Sequence, residues 1–298
     1  MATYLRPATL SEALANLDVD ARNPPANPLD RLGILAGATD FFPAAAARQA
    51  WFQPTPANIL DISAIAELRG VTTGPDGVRI GALATWTDVI NSALPPAFDA
   101  LKQASRQVGG VQIQNRGTLA GNLCNASPAA DGVPPLLALD AAVELVSAAG
   151  SRRLPLADFI LSNRRTALRP DELMVAIHVP KPADSERSLF LKLGARAYLV
   201  ISIASAAVNL ACDEAGRITR ARIAAGACSA APQRLPELER RLAGLPIADA
   251  AQAVDPGVLA PLSPIDDIRA SAGYRLAAVE TLLRQAFDAL GRPLERAA

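Results

Sequence analysis

The segment from Val108 to Asp131, VGGVQIQNRGTLAGNLCNASPAAD, restricts the fold of this chain more than any other. It holds four glycines, three asparagines and one proline, with only two charged residues, Arg116 and Asp131. Ordinary surface loops carry more charge. Glycine lets another chain segment or a ligand come directly against the main chain, and asparagine and serine close tight turns. Two readings fit these residues. The segment is either a buried crossover that needs small side chains, or a loop whose N–H groups face an anion, most commonly phosphate.

A second small-residue turn lies earlier. Arg31–Gly37 reads as a short buried strand. It is followed by Ala38-Thr39-Asp40-Phe41-Phe42-Pro43 and an alanine run to Arg48, which reads as a helix capped by Thr39 or Asp40. Strand, glycine turn and helix N-terminus make another place where backbone amides can face an anion. The alternative is a plain strand-to-helix turn. Neither GxGxxG nor GxxxxGK[S/T] is present, which argues against a nicotinamide Rossmann domain and a P-loop enzyme.

The composition removes other classes. A chain of 298 residues suits about two domains, and with half its residues hydrophobic it can build substantial cores. Lys plus Arg equals Asp plus Glu, so no general attraction to nucleic acid or anionic lipid is expected. The three cysteines, Cys124, Cys212 and Cys228, form no CxxC, and His178 is the single histidine. Neither a zinc site nor an iron–sulphur cluster can be assembled from this set. Met1–Pro7 has no apolar signal core, and the longest uncharged apolar stretch, 197–212, falls short of the roughly 20 residues that span a bilayer. The expectation is a cytoplasmic protein with no membrane partner.

Helices are predicted at 8–17, with Thr9 and Glu12 as a capping box, and at 88–94, 96–108, 133–139, 233–242 and 273–290. Strands are predicted at 58–62, 189–193 and 198–210, the last pairing with 218–225. Hairpins are predicted within 71–84 and 142–154. In the strand at 172–179, Leu173, Val175, Ile177 and Val179 alternate with Met174, Ala176 and His178. His178 has no acid near it in sequence and reads as a surface or packing residue. The polar run 181–187 reads as a domain boundary, and the strands and helices beyond it as an α+β layer.

Together, Ala36-Gly37-Ala38-Thr39-Asp40 and Thr118-Leu119-Ala120-Gly121-Asn122…Ser127-Pro128-Ala129-Ala130-Asp131 resemble the paired turns of the flavin subunit of the molybdenum hydroxylases, the xanthine dehydrogenase and aerobic carbon monoxide dehydrogenase group. Gln112–Gly117, Asp171–Leu173 and Lys192–Arg196 are similar to that group as well, so the resemblance covers nearly the whole chain. It implies an α+β fold: a two-lobed FAD-binding domain of the vanillyl-alcohol oxidase (PCMH) type at 1–181, with lobes of roughly 1–57 and 58–181, then a smaller α+β domain at 187–291. It implies FAD as cofactor, its diphosphate lined by Leu35, Ala36, Gly37, Ala38, Thr39, Asp40 and Phe41. Thr118, Gly121 and Asn122 would form a second cradle, and Val108 would line the site. Asp131 would hold a polar edge of the cofactor, Met174 would pack near the ring, and Lys192 would sit at the flavin's polar end.

The partners implied are a two-iron two-sulphur subunit and a large molybdenum-cofactor subunit in a heterotrimer, with NAD as one acceptor. The rivals are a standalone vanillyl-alcohol-oxidase-type flavin enzyme and a flavin-free scaffold subunit. Two positions depart from the family pattern. Ala38 stands where the second glycine is usual, so the turn should keep φ negative there. Tyr198-Leu199-Val200 stand where an acid often follows, and Tyr198 reads as a strand aromatic, with covering the ring as the alternative.

Overall fold

A computed structural model describes residues 3–56 and 58–292. The first lobe reaches past the expected boundary at 57, since Ile59–Asp61 is the middle strand of its sheet; residue 57 itself and Met1-Ala2 lie outside the described residues. The first lobe is a small parallel sheet in which Ile59–Asp61 runs between Tyr4–Leu5 and Gly33–Leu35. The helix Leu10–Arg22 packs over it through Ala13, Leu14 and Leu17. Thr9 caps this helix by accepting from the Glu12 amide at 3.2 Å, while the Glu12 carboxylate accepts from the Ala8 amide. The capping box therefore closes one residue earlier than the pattern suggests.

The second lobe is a five-stranded antiparallel sheet. Its order is Val71–Gly74, Gly77–Gly81, Leu173–Pro180, Ala142–Ser147, Gly150–Pro155. The central strand does not alternate as its sequence suggests. Met174 pairs with Leu145 and Ala176 with Glu144, so Val175 is the extra residue of a β-bulge. Beyond the bulge the faces exchange. Met174, Ile177 and Val179 enter the core beneath the helices, while Leu173, Val175 and Ala176 join Leu83 in the core shared with Leu60 and Ile62 of the first lobe. The bulge lets one strand serve two cores.

His178 is not alone. Its Nε2 lies 2.5 Å from Glu144 Oε2 on the neighbouring strand, a pairing created by sheet register and invisible in a linear reading.

The C-terminal layer is a sheet of Arg187–Leu193, Ala204–Cys212, Ile218–Gly226 and the short Gln233–Arg234, covered by the helix Ala272–Gly291. The strand expected from Tyr198 begins only at Ala204. The intervening chain is irregular because Ser202 turns inward to donate to the Asp131 carboxylate at 2.5 Å. Leu199 takes a φ of +51° there. Tyr198 is 81 % exposed and belongs to no strand. Residues 233–234 are likewise strand, and the expected helix runs Pro236–Leu242. Among the described residues, no helix is long and apolar enough to cross a membrane.

Candidate cofactor site

The segment 108–131 is not a loop throughout. It contains the short helices Val111–Gln114 and Leu119–Asn125. Thr118 caps the second by accepting from the Gly121 amide at 3.0 Å. The segment is pinned beneath by Ala84–Trp86, where the Trp86 amide donates to the Gly117 carbonyl and Leu119 to Ala84. The earlier turn enters the helix Phe41–Ala50, whose N-cap residue Asp40 makes no side-chain cap. In the first turn the Phe42 amide donates to the Ala38 carbonyl and Pro43 has no N–H, so the Phe41 amide, with those of the turn before it, remains available to a ligand.

The two turns meet. A Cβ placed on Gly37 would lie 2.0 Å from the Arg116 carbonyl oxygen, so main chain touches main chain at this point. Asn125 Nδ2 donates to Asp40 Oδ1 at 3.0 Å and ties the two helix ends together. The expectation about Ala38 is reversed: its φ is +67°, in the left-handed region. Gly37 is required for space, and Ala38 occupies the position where a glycine would relieve the backbone. Left-handed conformation costs a residue with a Cβ about 1–2 kcal/mol. Replacement of Ala38 by glycine is therefore expected to stabilise the chain by about 0.5–1 kcal/mol, part of the gain being offset by the freer unfolded chain. A higher urea midpoint for A38G, where Ala→Gly normally destabilises, is the check.

A cleft of about 820 Å³ opens beside this contact, near the upper end of the range for ligand pockets. Ala36, Gly37, Ala38, Thr39, Asp40, Phe41, Val108, Thr118, Gly121, Asn122 and Met174 all line it. Three of the expected residues do not. Leu35 is buried in its strand, its carbonyl accepting from Ile62. Asp131 and Lys192 are 7 % and 5 % exposed and bind each other at 2.6 Å away from the cleft wall. Burial pushes the Asp131 carboxyl up, against the pull of the Lys192 ammonium and the Ser202 hydroxyl.

Other wall residues were not picked out from the sequence as site residues. Cys124 is one, and burial pushes its thiol up to about 12, so it is a neutral wall at physiological pH. Glu172 is another. Burial alone would raise its carboxyl, but bonds from Arg152 at 2.7 and 2.9 Å and from the Arg169 amide hold it below the usual range. Arg31, Asp20 and Ile34 complete one end. Arg31 and Ile34 stand beside the first glycine turn and Glu172 within the Asp171–Leu173 segment that resembles the family, but no local pattern marks any of them, or Asp20, as a wall of the cleft.

Two buried polar atoms on the cleft residues, Asn122 Oδ1 and Arg31 Nη1, have no hydrogen-bond partner among the described residues. Buried polar groups are nearly always paired, so a ligand offering both a donor and an acceptor suits this cleft. Free amides along the Gly37–Phe41 turn, backbone brought close at Gly37 and a largely apolar wall suit a phosphate-containing dinucleotide with flat rings. The site and the two-lobed fold define a flavin-dinucleotide-binding protein.

The comparisons give the family. Residues 1–182 match the model of the FAD binding domain in molybdopterin dehydrogenase, and 190–290 that of the CO dehydrogenase flavoprotein C-terminal domain. The chain belongs to this family of FAD-binding oxidoreductase subunits, the xanthine dehydrogenase and CO dehydrogenase medium subunits. It is 34 % identical to the nicotinate dehydrogenase FAD-subunit of Eubacterium barkeri over 82 % of this chain and 80 % of that one. It is 32 % identical to the xanthine dehydrogenase FAD-binding subunit of Escherichia coli O157:H7 over 95 % and 94 %. A chain of the reconstituted CO dehydrogenase from Oligotropha carboxidovorans superposes with a TM-score of 0.86 at 28 % identity, covering 97 % of this chain and 96 % of that one.

Proposed function

We propose that this chain is the separate flavin subunit of a molybdenum hydroxylase complex. It takes electrons from two-iron two-sulphur clusters held by one partner chain and delivers them to NAD or another acceptor. A large molybdenum-cofactor chain carries the substrate chemistry. Bound FAD supplies the redox step, because a flavin accepts and releases one or two electrons. The protein's part would be to hold it: the amides of the Gly37–Phe41 turn and of Ala120, which have no backbone acceptor among the described residues, would face the diphosphate with the Thr118 and Asn122 side chains beside them, and Val108 and Met174 would wall the rings. Amide donors and a helix terminus neutralise phosphate without cations, which suits a cleft bordered by a lysine-poor segment.

The observation that carries the reading is the junction of the two turns at Gly37 and Arg116, flanked by the cleft. The cysteines support a second chain for the clusters. Cys228 is buried in the C-terminal core, Cys124 is at the cleft, and Cys212 ends a strand. The standalone flavin enzyme is less well supported, since His178 is engaged by Glu144 and does not line the cleft.

Purified chain is expected to show flavin absorbance at about one FAD per chain and to turn over neither xanthine nor nicotinate by itself. Substrate-dependent flavin reduction should appear only when iron–sulphur and molybdenum chains are added. Turnover of either compound by the isolated chain would overturn the subunit reading, and a colourless chain that refuses added FAD would overturn the flavin reading.

A further inference from the structure

We propose that Arg31, with Asp20, clamps the polar edge of one of the flat rings of the bound dinucleotide; this rests on the flavin reading above. Arg31 ends the 3-10 turn Pro28–Asp30, and its side chain lines the cleft with Asp20, Leu17, Leu32, Ile34 and Ile62. Its Nη1 is buried and has no acceptor among the described residues, and no carboxylate there forms an ion pair with it. Asp20 is fixed in place by the Leu32 amide, which donates to its Oδ1 at 3.3 Å.

A buried guanidinium N–H without an acceptor is unfavourable. A ligand that brings the acceptor removes that cost. The ligand's chemistry follows from position. Arg31 precedes the Ala36–Asp40 turn by five residues across the strand Gly33–Leu35, a span that places its Cα up to about 16 Å from that turn. The diphosphate is held at the turn, so Arg31 meets an end of the dinucleotide. Both ends are planar heterocycles whose edge carries acceptor atoms beside an N–H donor: the ring nitrogens and amino group of adenine, or the carbonyls flanking the imide N–H of the isoalloxazine. Leu17, Leu32, Ile34 and Ile62 give the faces of such a ring an apolar slot. Arg31 donates to the acceptor atom, and the Asp20 carboxylate accepts from the N–H.

The test uses the full chain stripped of flavin, with unaltered, R31M and D20N proteins titrated calorimetrically with FAD, ADP and FMN. R31M keeps the apolar stem and removes the orphan donor. It is expected to weaken FAD binding about tenfold or more, the usual size for a lost hydrogen bond to a charged group. The flavin-free protein should melt at the same or a higher temperature, since an unsatisfied group has gone. A matching loss with ADP assigns the adenine to this end, and a matching loss with FMN assigns the isoalloxazine. R31M binding FAD within twofold of the unaltered chain overturns the clamp. So does a lowered melting temperature of flavin-free R31M in parallel with its affinity, which would make Arg31 structural. If the unaltered chain takes up no FAD, the flavin reading fails and the clamp falls with it.

Discussion

Replacing Gly37 by alanine is expected to destroy the site. The added methyl would sit 2.0 Å from the Arg116 carbonyl oxygen, 2.8 Å from the Arg116 carbonyl carbon and 2.9 Å from the Gly117 Cα. All three are backbone atoms, so no side chain can swing aside. The two turns must part by more than an ångström, or the helix Phe41–Ala50 must tilt. Overpacking typically costs about 1–3 kcal/mol and occasionally more; with rigid main chain on both sides, about 3 kcal/mol or more is expected. The Asn125–Asp40 bond that joins the two helix ends would be stretched by the same movement. G37A should therefore lose both stability and flavin, with the FAD-to-protein ratio near zero even where folded protein is recovered. Absorbance and a thermal melt on the same preparation measure both. A G37A chain with unchanged melting and full flavin would refute the claim that these turns touch. A38G, one residue on, is expected to do the opposite on stability, which separates a spatial requirement from a conformational one.

The glycine turns were legible in the sequence because their constraint is local. A run of small, uncharged residues declares that something approaches the main chain, and both runs do line the cleft. What the sequence did not disclose was which residue needed which property. Gly37 and Ala38 are adjacent, yet one answers to a carbonyl from residue 116 and the other to its own φ. A contact across the fold has no trace in a local pattern. The same holds for His178, whose acid lies on a strand paired to its own, and for the strand 172–179, where the Val175 bulge shifts the side-chain faces without any breaker residue to announce it. Tyr198-Leu199-Val200-Ile201 has strand composition throughout. It is kept irregular by Ser202, whose hydroxyl is drawn to a carboxylate far back in the chain. Arg31 was missed for the same reason. Arg31 reads as the first residue of a short buried strand, and only its surroundings show that one of its nitrogens is buried in the cleft without a partner.

Lys192→Met should be among the most destabilising single changes in the chain. The Lys192 ammonium is buried, 2.6 Å from the Asp131 carboxylate, and that carboxylate also takes the Ser202 hydroxyl. Removing the cation leaves a buried negative charge unpaired, which typically costs about 3–5 kcal/mol. Asp131 already titrates high because of burial, with Lys192 pulling it down. Without that pull the folded-state value rises further above that of the unfolded chain. The folded variant then binds a proton that the unfolded chain releases, so its stability is greatest at low pH and is lost as pH rises through the raised value. The deficit of K192M against the unaltered chain should therefore be widest near pH 8 and narrow toward pH 5, as the carboxyl becomes neutral and the orphan charge disappears. The double variant D131L/K192M removes both charges and should recover most of the loss, since apolar replacement of a whole buried pair is often neutral or better. Urea midpoints at several pH values resolve these terms. A K192M chain within about 1 kcal/mol of the unaltered one at pH 7.5, or a deficit that grows on acidification, would show that the ammonium does not neutralise Asp131 in the folded protein.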